Sequence, residues 1–219
     1  MKKALYLHGF LGSPQDMEPL FLKGYDCESF DVRSILFEGD YIKALSEQIE
    51  SYDFILGYSF GGRLLEELKR PHPEKAKNWV LVSSRHSPYP EEELKSREVF
   101  RGLIYSKLDN KADFFEYWKN LPLFDGHQMD EYRAKHRLGY TPWTVEEIDR
   151  YLEVFFTSPQ VAPKKSEKTI FIHGLDDEKY SKEGERLKEV FKVFSMPGGH
   201  RFLFERPEEF KLMLEKVLG

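Results

Sequence analysis

Apolar positions along the 219-residue chain follow two alternating patterns. Short unbroken runs form the first: "ALYL" (4–7), "FILG" (54–57), "WVLV" (79–82), "TIFI" (169–172) and "FKVFS" (191–195). Apolar runs of this length predict buried strands. "CESFDV" (27–32) is a weaker sixth. Between them lie "QDMEPLFLK" (15–23), "GDYIKALSEQIES" (39–51), "GGRLLEELKR" (61–70), "SKEGERLKEV" (181–190) and "PEEFKLMLEKVL" (207–218). These space their apolar residues three and four apart, as core-facing helices do. Pro207 marks the first turn of the last one. Strand–helix alternation predicts right-handed crossovers and a mostly parallel sheet with helices on both faces.

Residues 84–165 break the alternation. "PEEELKSREVFRGLIYSKL" (90–108), "KADFFEYWKNL" (111–121), "QMDEYRAKHRL" (128–138) and "TVEEIDRYLEVFF" (144–156) all carry helical spacing, and prolines punctuate them. The pattern predicts a helical cap inserted between two strands, over one edge of the sheet. "SPQVAPKKSEK" (158–168) reads as its exposed return linker. The expected organisation is one domain, 1–219, with a core of residues 1–83 and 166–219.

Composition narrows the possible partners. A net charge of −5 gives no global case for nucleic acid or an anionic membrane. Cys27 is the only cysteine, which excludes an internal disulfide and a thiolate zinc site. No apolar stretch approaches the length of a membrane span. "MKKALYLHGF" has too short an apolar run for a signal peptide, so a cytoplasmic chain is expected.

The chemistry concentrates at the strand ends. "GYSFGGR" (57–63) joins a strand to a helix, and G-x-S-x-G in that setting is a nucleophile elbow. Side chains at Gly57 or Gly61 would collide with the strand and helix that such a turn brings together. Ser59 needs a histidine to take its proton and a carboxylate to orient that histidine, in the chain order Ser, acid, His. Asp176 and Asp177 follow one late strand, and His200 sits on a glycine loop after the next. Asp177 is favoured over Asp176 by position, three residues after Gly174. "LYLHGFLGS" places a loop after the first strand, which nominates the backbone N–H groups of Phe10 and Phe60 as an oxyanion hole. His8 is then a structural holder of that loop. Arg85 and His86 follow the strand ending at Val82 and are expected in a solvated loop. Together these elements predict an α/β-hydrolase fold trimmed to about six strands. Only three residues precede the first apolar run, so the fold's usual N-terminal hairpin is expected to be missing.

"LHGFLGS", "GYSFGGR", "YWKNLPLF", "GLDDEKY" and "GGHRFLFERPEEF" together resemble the MenH family over nearly the whole chain. Its members are 2-succinyl-6-hydroxy-2,4-cyclohexadiene-1-carboxylate synthases of menaquinone biosynthesis. The resemblance implies a cofactor-free, metal-free lyase that removes a proton and eliminates pyruvate. In that scheme the Ser59–His200–Asp177 relay is a base and the oxyanion hole stabilises an enolate. It also implies an anionic small-molecule substrate, with Arg63, Arg97 and Arg137 binding carboxylates and Tyr58 and Trp118 lining the pocket. Each has a plainer reading: surface charge for the arginines, cap core for Trp118. The pattern departs from the family at Leu121, where the family has glutamine, and in "SSRHSPYP" (83–90), which lacks its glycines. The alternative activity is a serine carboxylesterase or thioesterase for a small acyl group.

Overall fold

The computed structural model describes residues 1–122, 129–139, 142–157 and 161–219. Six strands form one sheet: β1 (Lys2–Leu7), β2 (Tyr25–Phe30), β3 (Tyr52–Tyr58), β4 (Ala76–Val82), β5 (Thr169–Gly174) and β6 (Lys192–Met196). Their order is β2-β1-β3-β4-β5-β6, and every pairing is parallel. The chain starts one strand in from an edge, steps out to that edge, then returns past β1 and winds to the other. The order reverses between β1 and β3, and sites in open α/β sheets gather at such a switch, beyond the strands' C-terminal ends.

Side-chain alternation divides the core into two layers. Leu5, Leu7, Ile55, Trp79, Leu81 and Phe171 face one side, where they pack with Leu64, Leu65 and Leu68 of α3 (Phe60–Lys69). Ala4, Tyr6, Phe54, Leu56, Val80 and Ile172 face the other, against Phe210 and Leu214 of a C-terminal helix, Pro207–Leu218. The central strands are buried on both faces, which is why they read as unbroken apolar runs.

Two helical expectations change. Within residues 15–23 the chain makes only α1 (Pro14–Met17) and a 3-10 turn, Glu18–Leu20. Pro19 lacks the N–H that would continue an α-helix. In α3 the polar side is also buried: Arg63, Glu66, Glu67 and Lys69 are all within the interior. The Lys69 ammonium lies 2.6 Å from Glu66 and donates to Thr169 Oγ1 of β5 at 3.1 Å. Tyr41, opening α2 (Tyr41–Gln48), donates its hydroxyl to Glu67.

The segment between β4 and β5 supplies α4 (Glu91–Tyr105), α5 (Lys111–Lys119), α6 (Met129–His136) and α7 (Val145–Thr157). Ile104, Phe114, Trp143, Ile148, Tyr151 and Leu152 join the same apolar layer as α3, while Tyr132 of α6 packs in the opposite layer, so these helices extend the core and are not a detached lid. After β5 come α8 (Glu178–Leu187), then β6, α9 (Phe202–Glu205) and α10 (Pro207–Leu218). Among the described residues no helix is long and apolar enough to cross a membrane.

Candidate active site

Ser59 stands at the junction of β3 and α3 with φ 53° and ψ −112°. Left-handed φ is strained for a residue with a Cβ, by about 1–3 kcal/mol. The neighbouring glycines make the turn possible. A Cβ on Gly57 would lie 2.5 Å from the Gly61 carbonyl, and one on Gly61 would lie 2.6 Å from the Leu7 oxygen. Ser59 N–H donates to the Val82 carbonyl at 2.8 Å, anchoring the turn to β4.

Three side chains meet in a row. His200 Nδ1 lies 2.9 Å from Asp177 Oδ2, and His200 Nε2 lies 3.3 Å from Ser59 Oγ. An ionised carboxylate only accepts, so Nδ1 carries the proton and the Nε2 lone pair faces the serine hydroxyl. His200 is 3% exposed and Asp177 5%. Burial lowers the His200 pKa from its ordinary value, with Asp177 opposing. Asp177 caps α8, where its Oδ1 accepts from the Tyr180 N–H at 3.2 Å. Asp176 is exposed.

Backbone contact holds the two loops in register. Asp176 N–H donates to the Gly198 carbonyl at 3.0 Å. A Cβ on Gly174 would sit 2.3 Å from the Gly198 and Gly199 oxygens, so only glycine admits the approach that sets Asp177 beside His200.

The loop after β1 passes directly over Ser59. A Cβ on Gly9 would lie 3.2 Å from the Ser59 Cβ, so the residue before Phe10 packs against the turn. Phe60 is the first residue of α3, where a backbone N–H has no partner within the helix. Rings of both residues meet Tyr151: Phe10 stacks on it with centroids 3.6 Å apart, and Phe60 meets it edge-on at 4.5 Å. His8 holds this loop, with Nδ1 2.8 Å from the Gly9 oxygen and Nε2 accepting from the Val32 N–H at 3.2 Å.

The remaining residues singled out in the sequence fall in different places. Tyr58 is buried, tilted against the His200 ring at 5.3 Å, and hydrogen-bonded to Arg201. Burial pushes its phenol well above the ordinary pKa, with Arg201 opposing. Trp118 meets Phe10 edge-on at 4.7 Å. Arg63 is 5% exposed, lies 4.9 Å from the centre of the Phe155 ring and pairs with Glu67 at 3.7 Å. Arg97 lies 4.6 Å from the same ring and donates to the Tyr89 hydroxyl at 2.6 Å. Phe155 stacks on Tyr151 at 5.6 Å, so the two guanidinium groups converge one ring beyond the Phe10–Phe60 pair. Burial raises the Tyr151 pKa, and the charges of Arg63 and Arg97 oppose it. Arg137 is exposed at the C-terminal end of α6, with φ 55°. The sequence segment "YWKNLPLF" ends outside the described residues, at 123–124.

Arg85 and His86 are not in a solvated loop; they are 6% and 4% exposed. Glu183 of α8 accepts from the His86 and Ser87 N–H groups at 2.8 and 2.6 Å, and it pairs with Arg85 at 3.3 Å. His86 lies 2.6 Å from the Ser84 hydroxyl, and burial holds its pKa well below the ordinary value. Nearby, a cavity of about 10 Å³ is lined by Arg63, Glu66, Glu67, Arg70, Arg85, His86 and Val161. That is room for about one water, not a substrate.

Three further residues were missed in the sequence. Tyr180 stacks on His200 at 5.0 Å. Lys179 meets solvent, yet the surrounding protein desolvates it enough to lower its pKa to about 8, with Asp177 opposing and Arg97 and Arg85 adding. Arg133, four residues before Arg137, turns inward to Asp16. Proximity to Asp177 could have flagged the first two; nothing in the basic run 133–137 distinguishes the third.

No family model and no curated protein matches the chain in sequence. Solved structures do match in shape. MenH from S. aureus superposes with a TM-score of 0.80 at 18% identity, over 99% of this chain and 93% of that one. A structure from work on carboxylesterases of the thaumarchaeon Nitrososphaera gargenis gives 0.71 at 16% identity, over 99% and 89%. An alpha/beta hydrolase family protein from Desulfitobacterium hafniense gives 0.64 at 16% identity, over 100% and 96%. At these identities the likeness speaks for the fold, and together with the six parallel strands and the strained serine turn it gives this chain the α/β-hydrolase fold.

Proposed function

We propose that the chain is an enzyme in which Ser59, His200 and Asp177 form a proton relay. The backbone N–H groups of Phe10 and Phe60 serve as its oxyanion hole. Residues 84–165 act as a cap on a single domain. The reading favoured is a MenH-like carbon–oxygen lyase with an anionic small-molecule substrate, working in the cytoplasm and needing no cofactor in this scheme. Ser59, with His200 taking its proton, removes a hydrogen from the carbon alpha to a carbonyl of 2-succinyl-5-enolpyruvyl-6-hydroxy-3-cyclohexene-1-carboxylate. The electron pair is held as an enolate by the two amides, then forms a ring double bond as the C–O bond to the enolpyruvyl group breaks. The leaving enolate takes up a proton and departs as pyruvate.

The observation that carries this reading is the pair of guanidinium groups gathered at Phe155 beside the Phe10–Tyr151 stack. A pocket for a simple acyl ester has no use for two buried or half-buried arginines, whereas a polycarboxylate does. Tyr58 and Trp118 border the same space in this reading. The test is pyruvate release from the named substrate, followed through lactate dehydrogenase. Wild-type protein should release it, and Ser59→Ala should lose about 100- to 10,000-fold in rate. No release at micromolar enzyme rejects the lyase.

The exposed position of Arg137 favours a second reading, because it leaves two arginines where the family pattern implies three. A serine carboxylesterase or thioesterase would show a burst with p-nitrophenyl acetate and a fluorophosphonate adduct on Ser59.

A further inference from the structure

The loop carrying the Phe10 amide is held largely by the helical insertion. Asp16, 1% exposed, receives Arg133 of α6 through two parallel bonds, Nε to Oδ1 and Nη2 to Oδ2, both 2.8 Å. The same carboxylate accepts the Ser13 N–H at 2.9 Å, and the Tyr132 hydroxyl donates to the Asp16 carbonyl at 2.9 Å. Arg133 Nη2 also reaches the Leu11 carbonyl at 3.5 Å. Trp143, fully buried just before α7, donates its indole N–H to the Gly12 carbonyl at 2.9 Å. Its ring meets the Phe10 ring edge-on at 5.1 Å.

These contacts hold a conformation the loop would not keep alone. Leu11 has φ 58°, a left-handed backbone that is costly for a leucine. Strained residues persist where the surroundings over-determine them. On its other side the loop rests on Tyr58 and Ser59 through Gly9.

We infer that Arg133 and Trp143 are positioning residues: they fix the Phe10 amide over Ser59, so the cap and the oxyanion loop move as one body. This rests on the oxyanion role proposed above for Phe10. Neither residue touches the reacting atoms. In that role, loosening either contact loosens one of the two amides that would stabilise the developing charge. Removing one oxyanion donor typically costs 100- to 1,000-fold in kcat, and a loosened one costs part of that.

The test compares Arg133→Met, Arg133→Lys and Trp143→Phe with a control, Ile148→Val, which softens the cap core without touching the loop. Hydrogen exchange of the peptide spanning residues 8–13 is the first readout. Arg133→Met should speed it at least tenfold while α10 keeps its protection. Arg133→Lys should not restore it, because an ammonium cannot supply the two-pronged bond. Trp143→Phe keeps an aromatic ring, loses the indole donor and leaves a small void, and should give a smaller increase with α10 still protected. The second readout is turnover: kcat should fall at least tenfold in Arg133→Met with KM within twofold. Loop exchange no faster than in Ile148→Val overturns the inference, whatever reaction the enzyme performs. Faster exchange with kcat unchanged also overturns it. Absence of pyruvate release in wild type is a different result; it rejects the lyase, and the loop exchange and the rate of Ser59 phosphonylation then decide the positioning role.

Discussion

Replacing Lys69 by methionine tests how α3 is anchored, and with it the strained turn at its N-terminus. Lys69 and Glu66 face each other at 2.6 Å with side chains only 9% and 3% exposed. The ammonium also donates to Thr169 and lies 4.2 Å from the centre of the Phe191 ring. Methionine keeps most of the volume and removes the charge, which leaves the Glu66 carboxylate buried without its cation. Breaking one side of a buried pair costs about 3–5 kcal/mol, a large part of the roughly 5–15 kcal/mol that holds a domain together. Burial already raises the Glu66 pKa, with Lys69 opposing. In Lys69→Met that opposition disappears and the pKa rises further. A carboxyl with a raised folded pKa holds its proton where the unfolded chain, at about 4.3, has released it. Stability of the variant therefore falls as pH rises through that window, by up to about 1.4 kcal/mol per pH unit. Urea unfolding at pH 8 should show the full loss, and at pH 5.5 a smaller gap from wild type. The double variant Glu66→Leu with Lys69→Met should recover most of the stability, because neither partner of that pair is then left buried with an unpaired charge. A single-variant loss under about 1 kcal/mol, or a double variant as unstable as the single, would refute this account.

Three further outcomes follow from the site. Ser59→Ala should cut turnover about 100- to 10,000-fold without lowering Tm, since the hydroxyl's bond to His200 is long and the side chain is not a core group; a drop of several degrees would show that the serine is mainly structural. The kcat/KM profile should rise with a midpoint below the ordinary histidine value of about 6.5, because burial lowers the His200 pKa and the base must be neutral; a midpoint above 7 contradicts the geometry. Arg97→Gln should raise KM for a polycarboxylate at least tenfold while leaving p-nitrophenyl acetate hydrolysis within about twofold, measured side by side on one preparation; equal effects on both substrates would make Arg97 a packing residue at Phe155.

The four central strands were legible because a strand buried on both faces has no polar side to interrupt its run, as in "WVLV" and "TIFI", whereas the partly exposed edge strands β2 and β6 carry mixed runs such as "CESFDV". The order Ser59, Asp177, His200 was legible for a related reason: a parallel sheet gathers successive strand ends at one edge, so spacing along the chain becomes proximity. Pro19 shows the opposite case, where one missing N–H overrides an otherwise helical pattern. Arg85 and His86 escaped because their surroundings come from far along the chain; Glu183 lies 97 residues from His86 and supplies the acceptor that makes burial tolerable. The same holds for Arg133 and Arg137. They sit one turn apart in a basic run with similar neighbours, and only the docking of α6 on α1 gives one of them a buried carboxylate while the other ends the helix in a left-handed turn. Local patterning therefore identifies the groups that strand ends present. It does not identify the groups that hold them, since those are chosen by which faces of the insertion meet the loop at Asp16. In the proposed scheme a change in the insertion reaches Ser59 through Phe10, whose ring meets Trp143 and Tyr151 and whose neighbour Gly9 packs on the serine turn.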